Sequence, residues 1–332
     1  MLFIVNLSFY EAALTALVVL GTGAGAQQLD PITEWATNAS YTSVIRQNVV
    51  YQKTDSVELR LDVITLGGLP SAKPVVIYFH GGGWVAGTKE GSLLRTLPYL
   101  ARGVDVVNVE YRLASQALAP GAVEDCRCAL RWVVRHAKEY GFDTTKIIVA
   151  GESAGGHLAL MTGMLTPAAG FDNDCEVPYS DWQQDGPKDL RVAAIIDFFG
   201  IVDVPELLQP APASADGVVL PMPRNFALRW LGDSPSRMDM AKRMSPLTYV
   251  RKDTPPILIV HGDRDPYVPY HQAMVLRDEL DRAGVQYQLL TIQGGGHGAS
   301  PPDAWSAQQN LKAHEAVFQF LEKAGVIPKK PN

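Results

Sequence analysis

A doubly wound, mostly parallel α/β sheet is predicted for this chain by three observations. Strand-like apolar runs alternate with helix-like stretches along its length. The later runs are almost continuously apolar, as strands covered on both faces must be. Finally, side chains able to do chemistry follow directly on the ends of those runs, where open α/β sheets gather their sites. Eight strands are expected, at 49–52, 57–64, 74–79, 105–111, 147–150, 192–199, 257–260 and 286–292. The first two alternate in polarity and suit an antiparallel edge hairpin. Helices are expected at 91–102, 122–140, 154–165, 271–283 and 305–324.

Two inserts interrupt this alternation. Residues 166–190 form a polar stretch with Gly, Asp and Pro, and residues 205–247 open on Pro210-Ala211-Pro212-Ala213 before helix-like segments at 225–230 and 238–244. Long inserts beside a site act as lids or binding loops, so both are expected to build a cap over the substrate pocket. The alternative is a solvated excursion that touches no substrate.

At 332 residues and 47% apolar composition the chain can bury a large core, which excludes a disordered protein. A net charge of −6 without a Lys/Arg cluster argues against nucleic-acid binding and against anionic membranes. The apolar run 12–20 followed by Gly21-Thr22-Gly23-Ala24-Gly25-Ala26 resembles a secretory signal peptide, residues 1–26, cut before Gln27. The absence of Lys or Arg ahead of the run and the presence of Glu11 depart from that pattern, and a frayed N-terminal helix or a misassigned start is the alternative. The run is too short for a membrane anchor. A secreted or periplasmic protein, with a homodimer allowed, is the expectation.

The three cysteines fit an exported protein with one disulfide and one spare thiol. On the helix expected at 122–140, Val123, Cys126, Leu130 and Val133 share a face, and two residues is about 200° of rotation. Cys128 therefore points away from that face and is the better partner for Cys175, while Cys126 reads as core filler. No spacing suits a metal site.

Gly151-Glu152-Ser153-Ala154-Gly155-Gly156 follows the apolar run 147–150 and leads into a helical stretch. A serine at the tip of a strand–turn–helix, flanked by small residues, is a nucleophile elbow. His80-Gly81-Gly82-Gly83-Trp84, His261-Gly262-Asp263-Arg264-Asp265 and Gly294-Gly295-Gly296-His297-Gly298 each follow another strand. The order Ser, Asp, His is that of the α/β-hydrolases. Ser153 is the expected nucleophile, His297 the base and Asp265 the acid that orients it. Backbone N–H groups of Gly82, Gly83 and Ala154 are the expected oxyanion donors. Trp84 and Tyr267 are expected in the substrate pocket, with Trp84 at its mouth.

The remaining candidates have plainer roles. His136, His157 and His314 read as packing or surface residues, His271 as exposed, and His261 as a turn hydrogen-bonder. His80 is expected to brace the oxyanion loop through its ring nitrogens. Asp263 suits a turn, Asp203 suits a cap on the next segment, and Glu152 is given no catalytic role.

The motifs His80-Gly-Gly-Gly-Trp84, Val109-Glu110-Tyr111-Arg112-Leu113-Ala114, Gly151-Glu-Ser-Ala-Gly-Gly156 and His261-Gly-Asp-Arg-Asp265-Pro-Tyr-Val-Pro269 resemble those of hormone-sensitive-lipase-like α/β-hydrolases. Among these the chain is most similar to the bacterial branch of bifunctional feruloyl/acetylxylan esterases, over about residues 45–325. The resemblance implies a cofactor-free, metal-free esterase with Ser153, Asp265 and His297 as triad and a small-molecule ester as substrate. It also implies cysteines paired at the positions of Cys128 and Cys175. The acid-loop pattern is shared with prolyl-oligopeptidase-type domains, so an amide hydrolase of that kind, or of the arylformamidase kind, is one alternative. A non-catalytic binding protein of hydrolase fold is the other.

Overall fold

A computed structural model describes residues 31–67, 72–173, 175, 190–209, 222–298 and 304–329. The segment read as a signal peptide and the Pro210–Ala213 stretch lie outside them. The chain divides into two units, Met1–Tyr41 and Thr42–Asn332. Helix α1, Pro31–Thr42, belongs almost wholly to the first. It is absent from the sequence expectation, because its run of Thr, Asn and Ser has weak helix propensity. Pro31 in the first turn and Glu34 near the N-terminus favour it locally.

The second unit is built on one eight-stranded sheet. Its strands are β1 (Ser43–Lys53), β2 (Glu58–Leu66), β3 (Lys73–Phe79), β4 (Asp105–Val109), β5 (Phe142–Glu152), β6 (Ala194–Phe198), β7 (Ile257–Gly262) and β8 (Tyr287–Ile292). They lie in the order β1-β2-β4-β3-β5-β6-β7-β8. The pairs β1–β2 and β2–β4 are antiparallel and every other pair is parallel. All eight expected strands are present, and the first pair is the expected edge hairpin. The inner strands β3, β4, β6 and β7 are buried almost throughout, which their continuous apolar sequences require.

Helices connect the strands: α2 (Lys89–Leu100), α3 (Gly121–Arg135), α4 (Ala137–Tyr140), α5 (Ala154–Met164), α6 (Val204–Leu208), α7 (Met222–Leu231), α8 (Arg237–Arg243), α9 (His271–Ala283) and α10 (Ala307–Lys323). Local chemistry sets their ends. Thr88 accepts from the Gly91 N–H to start α2, and Ser306 and Gln309 form a capping box on α10. The single helix expected at 122–140 is two, broken at His136. Asp203 stands at the N-cap of α6 but makes no side-chain cap, contrary to expectation; the first helical N–H, that of Val204, donates to Ser245 Oγ at 3.0 Å instead.

The inserts differ in what they do. Cys128 is bonded to Cys175, and Cys126 is buried and free. One residue before Cys128, Arg127 makes a two-pronged contact with Asp172 at 2.8 and 2.9 Å. Both side chains are buried, so neither charge is left unpaired. Arg131 donates to the Asp172 carbonyl. The described part of the first insert thus covers the second face of α3 and lines no part of the site cavity, unlike the expected cap. The second insert carries α6, α7 and α8, and Leu207, Pro223, Phe226 and Arg229 from it do line that cavity.

Candidate active site

The site lies at the C-terminal ends of β3, β5, β7 and β8. Ser153 follows β5 at φ 57°, ψ −120°, a conformation that a non-glycine residue adopts only under constraint. Two backbone bonds impose it: the Ser153 N–H donates to Phe198 O at 2.9 Å and the His157 N–H to Ser153 O at 3.0 Å. The turn must be tight. A Cβ on Gly155 would stand 2.1 Å from Phe79 O, so the first turn of α5 packs on the end of β3 only because the side chain is absent.

Ser153, His297 and Asp265 meet as expected from the sequence. Ser153 Oγ is 2.9 Å from His297 Nε2, and His297 Nδ1 is 2.7 Å from Asp265 Oδ2. Asp265 Oδ1 accepts the N–H groups of Tyr267 and Val268 at 2.8 and 2.9 Å. Burial pushes the Asp265 carboxyl up, but hydrogen bonds from His261 and His297 outweigh it and hold the group at about 2. An ionised Asp265 can only accept, so His297 Nδ1 carries a proton and its bare Nε2 faces the serine hydroxyl. Asp263 ties two loops together where a bond within its own turn was expected: its Oδ1 accepts from the Gly294 N–H at 2.7 Å, joining the Asp265 loop to the His297 loop. Trp305 fixes the base loop further by donating to Gly296 O at 2.9 Å.

Gly82 and Gly83 border the cavity, and Ala154 is fully buried at the first position of α5. None of the hydrogen bonds among the described residues uses the N–H of Gly82, Gly83 or Ala154. Gly83 has φ 60°, and a Cβ there would come within 2.5 Å of the Phe226 ring. The α7 side chain can therefore rest on bare backbone.

His80 braces this loop through one ring nitrogen rather than two. Nδ1 donates to Gly81 O at 2.7 Å, and the ring stacks on Tyr111 with centroids 4.2 Å apart. Burial lowers its pKa to about 4, so it stays uncharged.

Trp84 departs from expectation. It borders the cavity, but its side chain is 1% exposed and is not at the mouth. The indole stacks on Trp230 with centroids 4.3 Å apart and donates through Nε1 to His157 Nδ1 at 3.2 Å. His157 in turn donates from Nε2 to Met244 O at 2.7 Å. This fully buried cluster joins the His80–Trp84 loop to α7 and to the end of α8. Tyr267 does line the cavity, with its ring 5.2 Å from that of His297.

The cavity has a volume of about 670 Å³. Its apolar lining includes Ile201, Leu207, Phe226, Tyr267 and Val268, and its polar lining includes Thr88, Ser92, Arg95, Glu152 and Arg229. Glu152 lies 3.6 Å from Arg95, and burial raises its pKa against the pull of Arg95 and His297. Sequence reasoning missed Leu207 and Phe226, though the spacing of Phe226 and Trp230, one helical turn apart, marks a single face of α7. Among the described residues no group of His, Cys, Asp or Glu could hold a metal ion. No described helix is long and apolar enough to cross a membrane.

Sheet order, elbow and hydrogen-bonded Ser–His–Asp line together define an α/β-hydrolase. Known proteins agree. A family model described as BD-FAE matches residues 61–280, and one described as TAP-like protein matches residues 235–326. The chain belongs to the BD-FAE family, within the hormone-sensitive-lipase-like α/β-hydrolases.

Esterase LipC of Mycobacterium tuberculosis is 30% identical over 287 residues, spanning 84% of this chain and 65% of that protein. The probable carboxylic ester hydrolase LipM of the same organism is 29% identical over 221 residues, spanning 66% of this chain and 47% of that protein. The chain thus matches about half to two-thirds of the length of these relatives. Among solved structures, a truncated carbohydrate esterase from gut microbiota has TM-score 0.66 at 27% identity, covering 86% of this chain and 97% of the other. Thermogutta terrifontis esterase 2 phosphonylated by sarin has TM-score 0.69 at 26% identity, covering 85% and 96%.

Proposed function

We propose that the protein is a serine carboxylesterase that works through an acyl-enzyme. The observation that carries this is the unbroken line Asp265–His297–Ser153, hydrogen-bonded at 2.7 and 2.9 Å, opening into the cavity. His297 Nε2 takes the Ser153 proton as Oγ attacks the ester carbonyl, and the resulting imidazolium is steadied by the Asp265 carboxylate. The oxyanion is held by the N–H groups of Gly82, Gly83 and Ala154; loss of one donor of this kind costs about 2.7–4 kcal/mol. His297 then protonates the leaving alcohol, and water repeats the cycle against the acyl group.

Short or aromatic acyl groups suit the apolar lining of Ile201, Leu207 and Phe226, and a plant-polymer alcohol is the proposed leaving group. The likeness to a carbohydrate esterase supports the latter choice. Export is part of the same proposal, since the Cys128–Cys175 bond needs an oxidising compartment.

The test is hydrolysis of p-nitrophenyl acetate, butyrate and octanoate and of methyl ferulate, beside matched anilides. Wild type should turn over esters, and Ser153→Ala should lose about 10⁴-fold or more in kcat. Preference for the anilides, or ester turnover that survives the substitution, would sink the proposal.

A further inference from the structure

Asp265 is approached by two histidines. Its Oδ2 takes the His297 Nδ1–H at 2.7 Å and lies 3.5 Å from Nε2 of His261. The same Nε2 is 2.9 Å from the carbonyl oxygen of Val268. A nitrogen placed between a carbonyl oxygen and a carboxylate oxygen has only acceptors to meet, so His261 carries its proton on Nε2. The ring has no exposed surface, and the rings of Phe199 and Tyr270 stand edge-on to it.

We propose that His261 is a positioning residue for the reaction described above. From the end of β7 it clasps the acid loop at Val268 and shares its N–H with the Asp265 carboxylate, keeping that group ionised and turned toward His297. The inference rests on the serine-esterase reading of the same site. A buried carboxylate is costly unless its lone pairs are met. Oδ1 is met by the Tyr267 and Val268 N–H groups, which leaves Oδ2 to the two imidazoles.

The groups facing His261 are few. Asp197 reaches it from β6; burial raises that carboxyl to about 6 while His261 pulls it down, and its Oδ1 accepts from the Gly200 N–H at 2.8 Å. Tyr270, at the start of α9, bonds through its hydroxyl to Thr291 of β8. Asp265 faces it from the acid loop, with His297 beyond.

His261→Phe keeps a ring between Phe199 and Tyr270 but removes the N–H; His261→Gln keeps an N–H donor. A carboxylate relieved of one donor holds the His297 imidazolium more firmly. In His261→Phe the acidic limb of kcat/KM should therefore move to higher pH by about half to one unit, while His261→Gln keeps the wild-type limb. An unmoved or lowered limb in folded His261→Phe, or a displaced limb in His261→Gln, overturns the proposal and leaves His261 a turn residue only. Imidazole ¹⁵N spectra of the wild type test it without turnover or substitution, covering the case in which His261→Phe does not fold. Nε2 should be protonated and Nδ1 bare at neutral pH, and the opposite tautomer overturns the proposal. A wild type that cleaves no ester would sink the esterase reading alone, because the Nε2 protonation on which the His261 contact depends is read without turnover.

Discussion

At the scale of single residues, the site depends on which atoms are left bare. Ser153 is held at φ 57° by bonds to its own backbone, so its hydroxyl is committed to His297 before substrate arrives. Gly83 leaves room for the Phe226 ring, and that ring lines the cavity beside it. Phe226→Ala should lengthen the acyl pocket and shift the octanoate-to-acetate ratio of kcat/KM upward by about tenfold. A chain-length series on the two proteins measures this, and an unchanged ratio would place the acyl group elsewhere. The four site motifs were legible in the sequence because each is a short glycine-rich turn whose geometry demands those residues. Phe226 and Leu207 were not, since they become neighbours of Ser153 only through the path of the insert.

At the scale of elements, the His80–Trp84 loop, α5, α7 and the end of α8 meet in the cluster of Trp84, His157, Trp230 and Met244. His157 is useful there only while neutral, because Nδ1 must accept from Trp84 while Nε2 donates to Met244. Burial lowers its pKa to about 4, from an ordinary value of 6.5. The folded pKa lies below the unfolded one, so the unfolded chain binds the proton first. The stabilisation is complete above pH 6.5 and is lost as pH falls toward 4. His80 acts in the same direction. Asp105 and Asp197, both raised to about 6 by burial, act in the opposite one by taking up protons in the folded state. Comparing variants isolates the single group. Between pH 7 and pH 4.5 the unfolding free energy of His157→Leu should fall by roughly 1–3 kcal/mol less than that of wild type. Urea unfolding at both pH values measures the difference, and equal falls would mean that His157 does not resist protonation.

At the scale of the whole molecule, the sheet grades from a dry centre to wetter edges. Strands β3, β6 and β7 are buried nearly throughout, whereas much of β1 is exposed and β8 is half-buried. Amide hydrogen exchange should be slowest in β3, β6 and β7 and fastest in β1 and β8; uniform protection across the sheet would contradict that gradient. The same gradient explains what the sequence disclosed. Inner strands announce themselves by continuous apolar runs. By contrast, the start of β5, 143–146, is polar in sequence and falls in a register shift of the β3 ladder, between the pairs Lys73–Phe142 and Val75–Ile147. Strand β1 carries register shifts, with Asn48 at φ 58°, that no periodicity signals. Sheet order also places Ser153 and His297, 144 residues apart in the chain, within one hydrogen bond of each other. No short stretch of polypeptide contains the reacting pair. A nascent or refolding chain therefore lacks the Ser153–His297 contact until β5 through β8 have assembled, and the pairing exists only in the finished sheet.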